Sequence, residues 1–152
     1  MGIGNTTTSA AIASLILGIP AEITTGRGAG LDSSGMSRKI AAIHRAIKLN
    51  KPDPTDPIDV LSKLGGFDIA GMTGLFLGGA ECGIPIVIDG VISAVSACLA
   101  EMISPGCRDF MLPSHVSNEP SARLLLEKLG LKAPINAGFH LGEGTGGIML
   151  LP

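Results

Sequence analysis

Residues 141–146 are the part of this sequence whose residue types could do chemistry. The stretch reads Leu-Gly-Glu-Gly-Thr-Gly, and it places the carboxylate of Glu143 among three glycines with no bulky side chain directly beside it. Glycine loses more backbone entropy on folding than other residues, so three of them around one acid indicate that another molecule must come close. A carboxylate held in this way can accept a proton from a bound substrate. A flexible turn that leads into the apolar residues 148–151 is the alternative interpretation.

Two further glycine loops precede predicted helices and could hold an anion. The first covers residues 2–5, where Asn5 or a following threonine can cap the next helix. Backbone N–H groups at the positive end of a helix suit a phosphate. The stretch lacks the Gly-Lys-Ser/Thr of a Walker loop, however, and a plain capped helix explains it equally well. The second loop covers residues 24–32 and contains Gly28.

Lys39 is a cation close to the second glycine loop, in the predicted helix that follows it. This helix covers residues 33–49, and Lys39 lies at the flank of its apolar stripe, which is formed by Met36, Ile40, Ile43 and Ile47. A flank lysine beside a glycine loop could reach an anion as a point charge. An ordinary solvated lysine on a helix surface is the alternative.

Asp89 directly follows the clearest predicted strand, the β-branched run at residues 84–88. An acid just past the carboxyl end of a parallel strand stands where α/β folds place ligand contacts. Capping of the predicted helix at 91–103 explains Asp89 equally well. His115 follows a second predicted strand at 109–112, and a hydrogen-bonded structural histidine suits that turn better than a catalytic one.

The elements that must position these residues alternate between strands and helices. The apolar spacing predicts helices at residues 7–17, 33–49, 58–64, 67–79, 91–103 and 120–129. The helix at 67–79 is apolar and glycine-rich, which indicates a buried helix against a sheet. This order of elements predicts an α/β fold, with a parallel sheet covered by helices on both faces. We expect residues 1–152 to form a single α/β domain, because no long linker interrupts the chain.

The composition excludes several classes of protein. The net charge is −2 and the only aromatic residues are 4 Phe, whereas nucleic-acid binding needs a basic field and stacking rings. The 3 cysteines have no Cys-x-x-Cys spacing, which predicts reduced, mostly buried thiols in a cytosolic protein. Every apolar run is too short to span a membrane. Residues 1–6 match the pattern for N-myristoylation.

Three separated stretches together resemble one protein family. They read Met-Gly-Ile-Gly-Asn-Thr-Thr-Thr at residues 1–8, Lys-Leu-Gly-Gly-Phe-Asp-Ile-Ala-Gly-Met at 63–72, and Leu-Gly-Glu-Gly-Thr-Gly at 141–146. Residues 88–90, 114–115 and 119–120 add to a match that runs in order along the whole chain. The sequence resembles the nicotinate-nucleotide–dimethylbenzimidazole phosphoribosyltransferases of cobalamin assembly.

The resemblance implies a reaction and a role for each candidate residue. The reaction transfers 5-phosphoribose from nicotinate mononucleotide to 5,6-dimethylbenzimidazole or a related base, giving α-ribazole 5′-phosphate and nicotinate. The positively charged pyridinium is a good leaving group, so the resemblance implies neither a metal ion nor a cofactor. It implies that Glu143 is the general base. It also implies substrate contacts from Gly2, Gly28 and Lys39 to the phosphate, from Leu141 and Gly142 to the ribose and base, and further ones from Gly4, Asn5, Asp89 and Ser117.

The resemblance also implies a Rossmann-like α/β fold, a homodimer and a cytoplasmic location, with small molecules as the only substrates. Family members are roughly twice as long as this chain, about two domains' worth of residues. We therefore expect the chain to correspond to the C-terminal half of the enzyme, with Met1 aligned to an internal residue and the myristoylation match fortuitous. A truncated, non-catalytic relative that only binds a nucleotide or phosphate is the alternative.

Overall fold

The computed structural model describes residues 4–139 and 142–151. Eight α-helices lie in this part of the chain: α1 (Asn5–Leu17), α2 (Ala21–Thr24), α3 (Ser33–Asn50), α4 (Pro57–Leu64), α5 (Phe67–Cys82), α6 (Val91–Ile103), α7 (Ala122–Leu129) and α8 (Thr145–Leu150). The two strands are β1 (Ile86–Ile88) and β2 (Met111–Pro113).

The two strands form a small parallel sheet. Ile86 lies opposite Met111, and Ile88 lies opposite Pro113. The connection between them contains α6, since parallel neighbours need a crossover. An isolated parallel bridge between His115 and Ile135 adds one more pairing beyond β2. The predicted α/β class with parallel strands is confirmed, although within the described residues the sheet is much smaller than the sequence suggests.

Both strand predictions need correction at their ends. Residues 109–112 were expected to be a strand, but a 3₁₀ turn, Cys107–Phe110, covers the first two of them and β2 begins at Met111. The first strand begins at residue 86 instead of 84, because the N–H of Ile84 donates to the Gly79 carbonyl at 2.7 Å and closes the end of α5. In both places a helical turn occupies backbone that was expected to be extended.

The central element of the core is α6. Its residues from Ala94 to Ala100 are all buried, and Val95 and Leu99 are fully inaccessible. Small side chains along this helix let α5, α7 and α1 pack closely around it. The helix predicted at residues 91–103 is therefore confirmed, and it is the most enclosed element of the described chain.

The helix α5 is only half covered, so the expectation of a buried helix is wrong. One face buries Ile69, Thr73, Phe76 and Gly79, at a spacing of three and four residues. Outside this face, Phe67 is fully exposed at 100%. The apolar sequence of α5 therefore does not reflect its burial in this chain.

The first helix begins at a glycine and has no side-chain cap. Gly4 is the N-cap of α1 with a φ of 92°, and it supplies no capping side chain. The expected capping by Asn5 or a threonine is thus wrong. By contrast, Asp32 caps α3 by accepting a hydrogen bond from the Gly35 N–H at 2.6 Å.

The thiols are free, as predicted. Cys98 and Cys107 are buried and Cys82 is exposed. Burial raises the pKa of the Cys98 thiol to about 12, so this group is neutral at physiological pH. Across residues 4–139 and 142–151, no helix combines the length and apolarity that a membrane crossing requires.

Candidate functional site

The carboxyl ends of β1 and β2 meet at one edge of the parallel sheet. Asp89 follows β1 there, and Ser114 follows β2. The glycine loop at residues 142–147 lies against this edge. The two carboxylate oxygens of Asp89 accept hydrogen bonds from the backbone N–H groups of Gly144 and Gly147, each at 3.1 Å. Residues far apart in sequence thus come together where α/β folds place ligand sites.

Glu143 is exposed at the tip of this loop. Its φ is 54°, between Gly142 at 73° and Gly144 at 78°, so three consecutive residues have positive φ. That conformation is unfavourable for glutamate but not for glycine, which explains why glycines stand on both sides. The Thr145 N–H donates to the Gly142 carbonyl at 2.9 Å and closes the turn before α8. The carboxylate is therefore presented to solvent on a defined turn and can accept a proton.

His115 packs beneath the loop. The imidazole is buried, and its Nδ1 lies 3.0 Å from the Ser114 hydroxyl, which itself donates to the Ile88 carbonyl at 2.8 Å. A Cβ at Gly146 would collide with the imidazole. The predicted structural, hydrogen-bonded histidine is confirmed, and Gly146 is needed for the close approach of the loop to it.

Asp89 does not cap the helix that follows it. The N-cap of α6 is Gly90, and the Ser93 hydroxyl accepts from the N–H groups of Asp89 and Gly90, both at 3.0 Å. The capping interpretation for helix 91–103 is therefore wrong. The Asp89 carboxylate accepts from the glycine loop instead.

Lys39 is buried, with 7% of its surface exposed, so the interpretation of a solvated lysine is wrong. Its ammonium donates to the Thr6 hydroxyl at 3.0 Å and to the Gly26 carbonyl at 2.9 Å. Burial lowers the pKa of Lys39 from its ordinary value, and the negative charge of Glu119 opposes that shift. A partly desolvated cation of this kind interacts strongly with an anion that reaches it.

Gly28 lies beside this ammonium. A Cβ built at Gly28 would stand 3.7 Å from Lys39 Nζ and 3.0 Å from Thr6 Oγ1, and the φ of Gly28 is 53°. The structure therefore brings together the start of α1, the glycine loop at 24–32 and the buried lysine of α3. That this cluster holds an anion stays a prediction.

The segment at residues 114–120 connects the Lys39 cluster with the Glu143 loop. Its first residues contact the Glu143 loop, as described above. Its last residues contact the second glycine loop: a Cβ at Gly26 would collide with the Glu119 carboxylate and lie 2.8 Å from Pro120 Cδ. Ser117 lies between the two ends, and its hydroxyl accepts from the Glu119 N–H at 3.4 Å. Among the described residues, no hydrogen bond or ion pair joins Glu143 directly to Lys39.

Asn5 has a protein partner. Its side-chain amide donates to Asp68 Oδ2 at 2.8 Å and ties the start of α1 to the start of α5. This hydrogen bond is the main reason that the pKa of the Asp68 carboxyl lies below its ordinary value. The neighbouring Gly4 is exposed.

The predicted site residues thus fall into two described groups. Gly4, Asn5, Gly28 and Lys39 gather at the start of α1, while Asp89, Gly142 and Glu143 gather at the sheet edge, with Ser117 on the connecting segment. Gly2 and Leu141 lie outside the described residues. Their roles in substrate binding, like those of the other predicted residues, stay predictions.

Sequence reasoning missed several supporting residues. Thr6 and Gly26 were not singled out as partners of Lys39, and Ser93 was not recognised as the cap of α6. The signal for Thr6 and Gly26 was their place in or beside the two glycine loops. For Ser93 the signal was its position three residues after Gly90, the spacing of a capping side chain.

A roomy cleft lies elsewhere on the described surface. It has a volume of about 520 Å³ and is lined by residues such as Leu77, Ser104 and Phe110, near the ends of α5 and α6. None of its lining residues belongs to either group of candidate residues. The chemistry of the residues, and not the size of this cleft, locates the candidate site.

Comparison with known proteins identifies the family. The whole chain, residues 1–152, matches the sequence model of a family described as phosphoribosyltransferase. Curated relatives from Acetivibrio thermocellus and Desulforamulus reducens are 51% identical over 146 residues and 50% identical over 152 residues. Both are named nicotinate-nucleotide–dimethylbenzimidazole phosphoribosyltransferase. The matches cover 96% and 100% of this chain but 42% and 43% of the relatives, so the chain spans less than half of their length.

Solved structures agree. CobT from Thermus thermophilus superposes with a TM-score of 0.92 at 40% identity, over 99% of this chain and 45% of that chain. A structure of the nicotinate-nucleotide–dimethylbenzimidazole phosphoribosyltransferase from the same organism gives a TM-score of 0.88 at 38% identity, over 99% and 44%. As the glycine loops implied, the chain belongs to the phosphoribosyltransferase family whose model its sequence matches along its full length.

Proposed function

We propose that this chain supplies the catalytic part of a phosphoribosyl transfer in the assembly of the cobalamin lower ligand. The donor is nicotinate mononucleotide, the acceptor is 5,6-dimethylbenzimidazole or a related base, and the products are α-ribazole 5′-phosphate and nicotinate. The names of the relatives support these substrates. The relatives are more than twice as long as this chain, which is why the activity is a proposal here.

The chemistry asks little of the protein beyond position and one proton transfer. The unprotonated nitrogen of the benzimidazole attacks C1′ of the ribose, and the bond from C1′ to the pyridinium nitrogen breaks. The electron pair of that bond neutralises the pyridinium, so nicotinate leaves without a proton. The acceptor base then carries a positive charge until the proton on its other nitrogen is removed. Glu143 takes up that proton as general base.

The observation that carries the proposal is the presentation of Glu143. Its carboxylate is exposed on a turn of three residues with positive φ that is bonded to the end of β1. A glutamate adopts this backbone at a cost of about 1–2 kcal/mol, so the turn is not a relaxed surface loop. A base held in such a turn is oriented before substrate arrives, which is what proximity catalysis needs.

Lys39 and Gly28 supply the phosphate site in this proposal, together with Gly2, Gly4 and Asn5 at the start of α1. The cation is already held by Thr6 and Gly26 and does not have to be ordered when the phosphate binds. Gly142 and Leu141 contact the ribose and base, and Ser117 contributes a further hydroxyl.

We also propose that the protein is one α/β domain over residues 1–152, acts in the cytoplasm and assembles as a homodimer.

The test is the substitution Glu143→Gln, which keeps the size of the side chain but removes its ability to take up a proton. We expect kcat to fall about 10²–10⁴-fold, the usual contribution of a general base, while nicotinate mononucleotide still binds. Activity is measured after this chain has been grafted in place of the matching 146 residues of the A. thermocellus relative.

Glu127→Gln, which changes an exposed glutamate on α7, is the matched control and should leave kcat unchanged. Near-normal turnover by Glu143→Gln would contradict the general-base role and leave Asp89 and Asp68 as the next carboxylates to test. If the parent graft binds nicotinate mononucleotide but does not turn it over, the alternative of a relative that only binds the nucleotide is correct.

A further inference from the structure

We infer that Asp89 is a positioning residue: it holds the Glu143 loop in its productive conformation by bonding two backbone amides of that loop. This inference rests on the proposed role of Glu143 and adds a residue that acts through it. The hydrogen bonds join the end of β1 to residues 55 and 58 positions later in the sequence.

Asp89 accepts hydrogen bonds from two backbone N–H groups at the start of α8, where a helix provides no internal acceptor. Gly144 is the N-cap of α8, and Gly147 is its third residue. The side chain of an N-cap residue normally accepts from the third N–H, and the side chain of the third residue from the N–H of the cap. Both positions of α8 are glycine, so neither side chain exists. The Asp89 carboxylate therefore acts as a cap that comes from another part of the chain, and its negative charge also suits the positive end of the helix.

The helix α8 has few internal reasons to form. It contains six residues, of which two are glycine, and isolated helices of this length are unstable in water. The N-cap of α8 directly follows Glu143. If α8 loses its bonds to Asp89, the left-handed backbone at Glu143 has less to hold it and can relax toward an ordinary conformation.

Asp89 is itself firmly placed. It follows Ile88, which is buried in β1, and its backbone N–H donates to the Ser93 hydroxyl of α6. The backbone carbonyl of Asp89 accepts from the Ser114 hydroxyl at 3.3 Å. The carboxylate thus ties an exposed catalytic turn to the sheet and to the most buried helix.

The experiment compares Asp89→Asn with Asp56→Asn. Asp56 is a matched control because its carboxylate also accepts from two backbone amides, those of Ile58 and Asp59 at 2.9 and 3.1 Å, but it caps α4, which contains none of the candidate residues. Amide hydrogen exchange is measured by NMR in the 152-residue chain. We expect exchange at Gly144 and Gly147 to become at least about tenfold faster in Asp89→Asn, because bonds to a charged acceptor are lost.

The same pair is assayed in the grafted enzyme. For Asp89→Asn we expect kcat to fall about 10–100-fold, because the Glu143 carboxylate is displaced from the position in which it takes up the proton. The KM for nicotinate mononucleotide should change by less than about threefold, because its binding residues stay in place. Asp56→Asn should lose thermal stability to a similar degree but keep kcat. If Asp89→Asn fails to fold, Asp89→Glu replaces it, because this variant keeps the negative charge but has a longer side chain. We then expect the same increase in exchange at Gly144 and Gly147 and the same fall in kcat, each of smaller magnitude.

Unchanged exchange at Gly144 and Gly147 would overturn the inference directly, whatever the activity. The inference would also be overturned if Asp89→Asn exchanged faster at these amides but kept the kcat of the parent, while Glu143→Gln had a lowered kcat. A Glu143→Gln variant with normal turnover would instead overturn the proposed function, and the exchange rates would still establish whether Asp89 fixes the loop.

Discussion

At the scale of single residues, Lys39 shows most clearly that stability alone does not account for the site. A lysine whose pKa is lowered by burial binds its proton less readily in the folded chain than in the unfolded chain. Its charge therefore opposes folding at neutral pH, and that cost diminishes only as the pH rises through the lowered pKa. A charge kept at a cost, beside two glycine loops, indicates a ligand of opposite charge.

We predict that Lys39→Ala weakens the binding of nicotinate mononucleotide by about 1.5–3 kcal/mol, the range for hydrogen bonds to charged groups. Isothermal titration calorimetry on the grafted enzyme measures the change. Lys63→Ala removes a lysine that is paired with Asp59 on α4 and serves as the control, with unchanged affinity. Equal affinity of the Lys39 variant and the parent would show that this ammonium does not bind the phosphate.

At the scale of elements, the contact between α5 and β1 depends on one glycine. A Cβ built at Gly79 would stand 2.5 Å from Ile86 Cγ1 and 2.8 Å from the Ile84 carbonyl oxygen, whereas one at the neighbouring Gly78 meets nothing within 4 Å. The strand that leads to Asp89 therefore packs against the helix at a position that has no side chain. Gly79 is therefore required for the contact between α5 and β1, whereas Gly78 is not.

We predict that Gly79→Ala destabilises the chain by about 1–3 kcal/mol, because β1 must shift away from α5. The matched variant Gly78→Ala should be neutral or gain about 0.5–1 kcal/mol from the better helix propensity of alanine. Chemical denaturation of the two variants compares their free energies of unfolding. Equal stabilities would mean that α5 and β1 are not packed as closely as the structure has them.

At the scale of the whole molecule, α5 leaves an apolar face in solvent. Phe67 and Leu75 are exposed on it at 100% and 64%, with the exposed Gly71 and Gly74 between them. Small residues between large apolar ones let another surface come close. An exposed apolar face of this kind favours association.

We predict that the chain self-associates through this face, in line with the proposed homodimer. Analytical ultracentrifugation at increasing protein concentration should show a species larger than a monomer. Leu75→Glu places a charge on the face and should shift the equilibrium toward monomer, whereas Ala41→Glu, on the exposed side of α3, should not. A monomer at high concentration for the parent chain would contradict the prediction.

Much of the local structure could be predicted from the sequence. The helices α3, α4 and α6 lie within one residue of the predicted ranges, because their apolar spacing and the signals at their starts are local. The start of β2 and the exposure of α5 could not be predicted in this way. They depend on which partner each backbone group or face meets, and that partner is distant in the sequence.

For the candidate site, the sequence by itself determined which residues stand out: a glutamate among glycines, a lysine near a glycine loop, and an acid after a strand. Its motifs also determined the family. Only the tertiary structure decided that Lys39 is buried against Thr6 and Gly26, and that Asp89 bonds the Glu143 loop and not the helix beside it. The physical reason is that a backbone amide or carbonyl carries no signature of its partner in the sequence, so hydrogen bonds between distant segments appear only when the chain has folded.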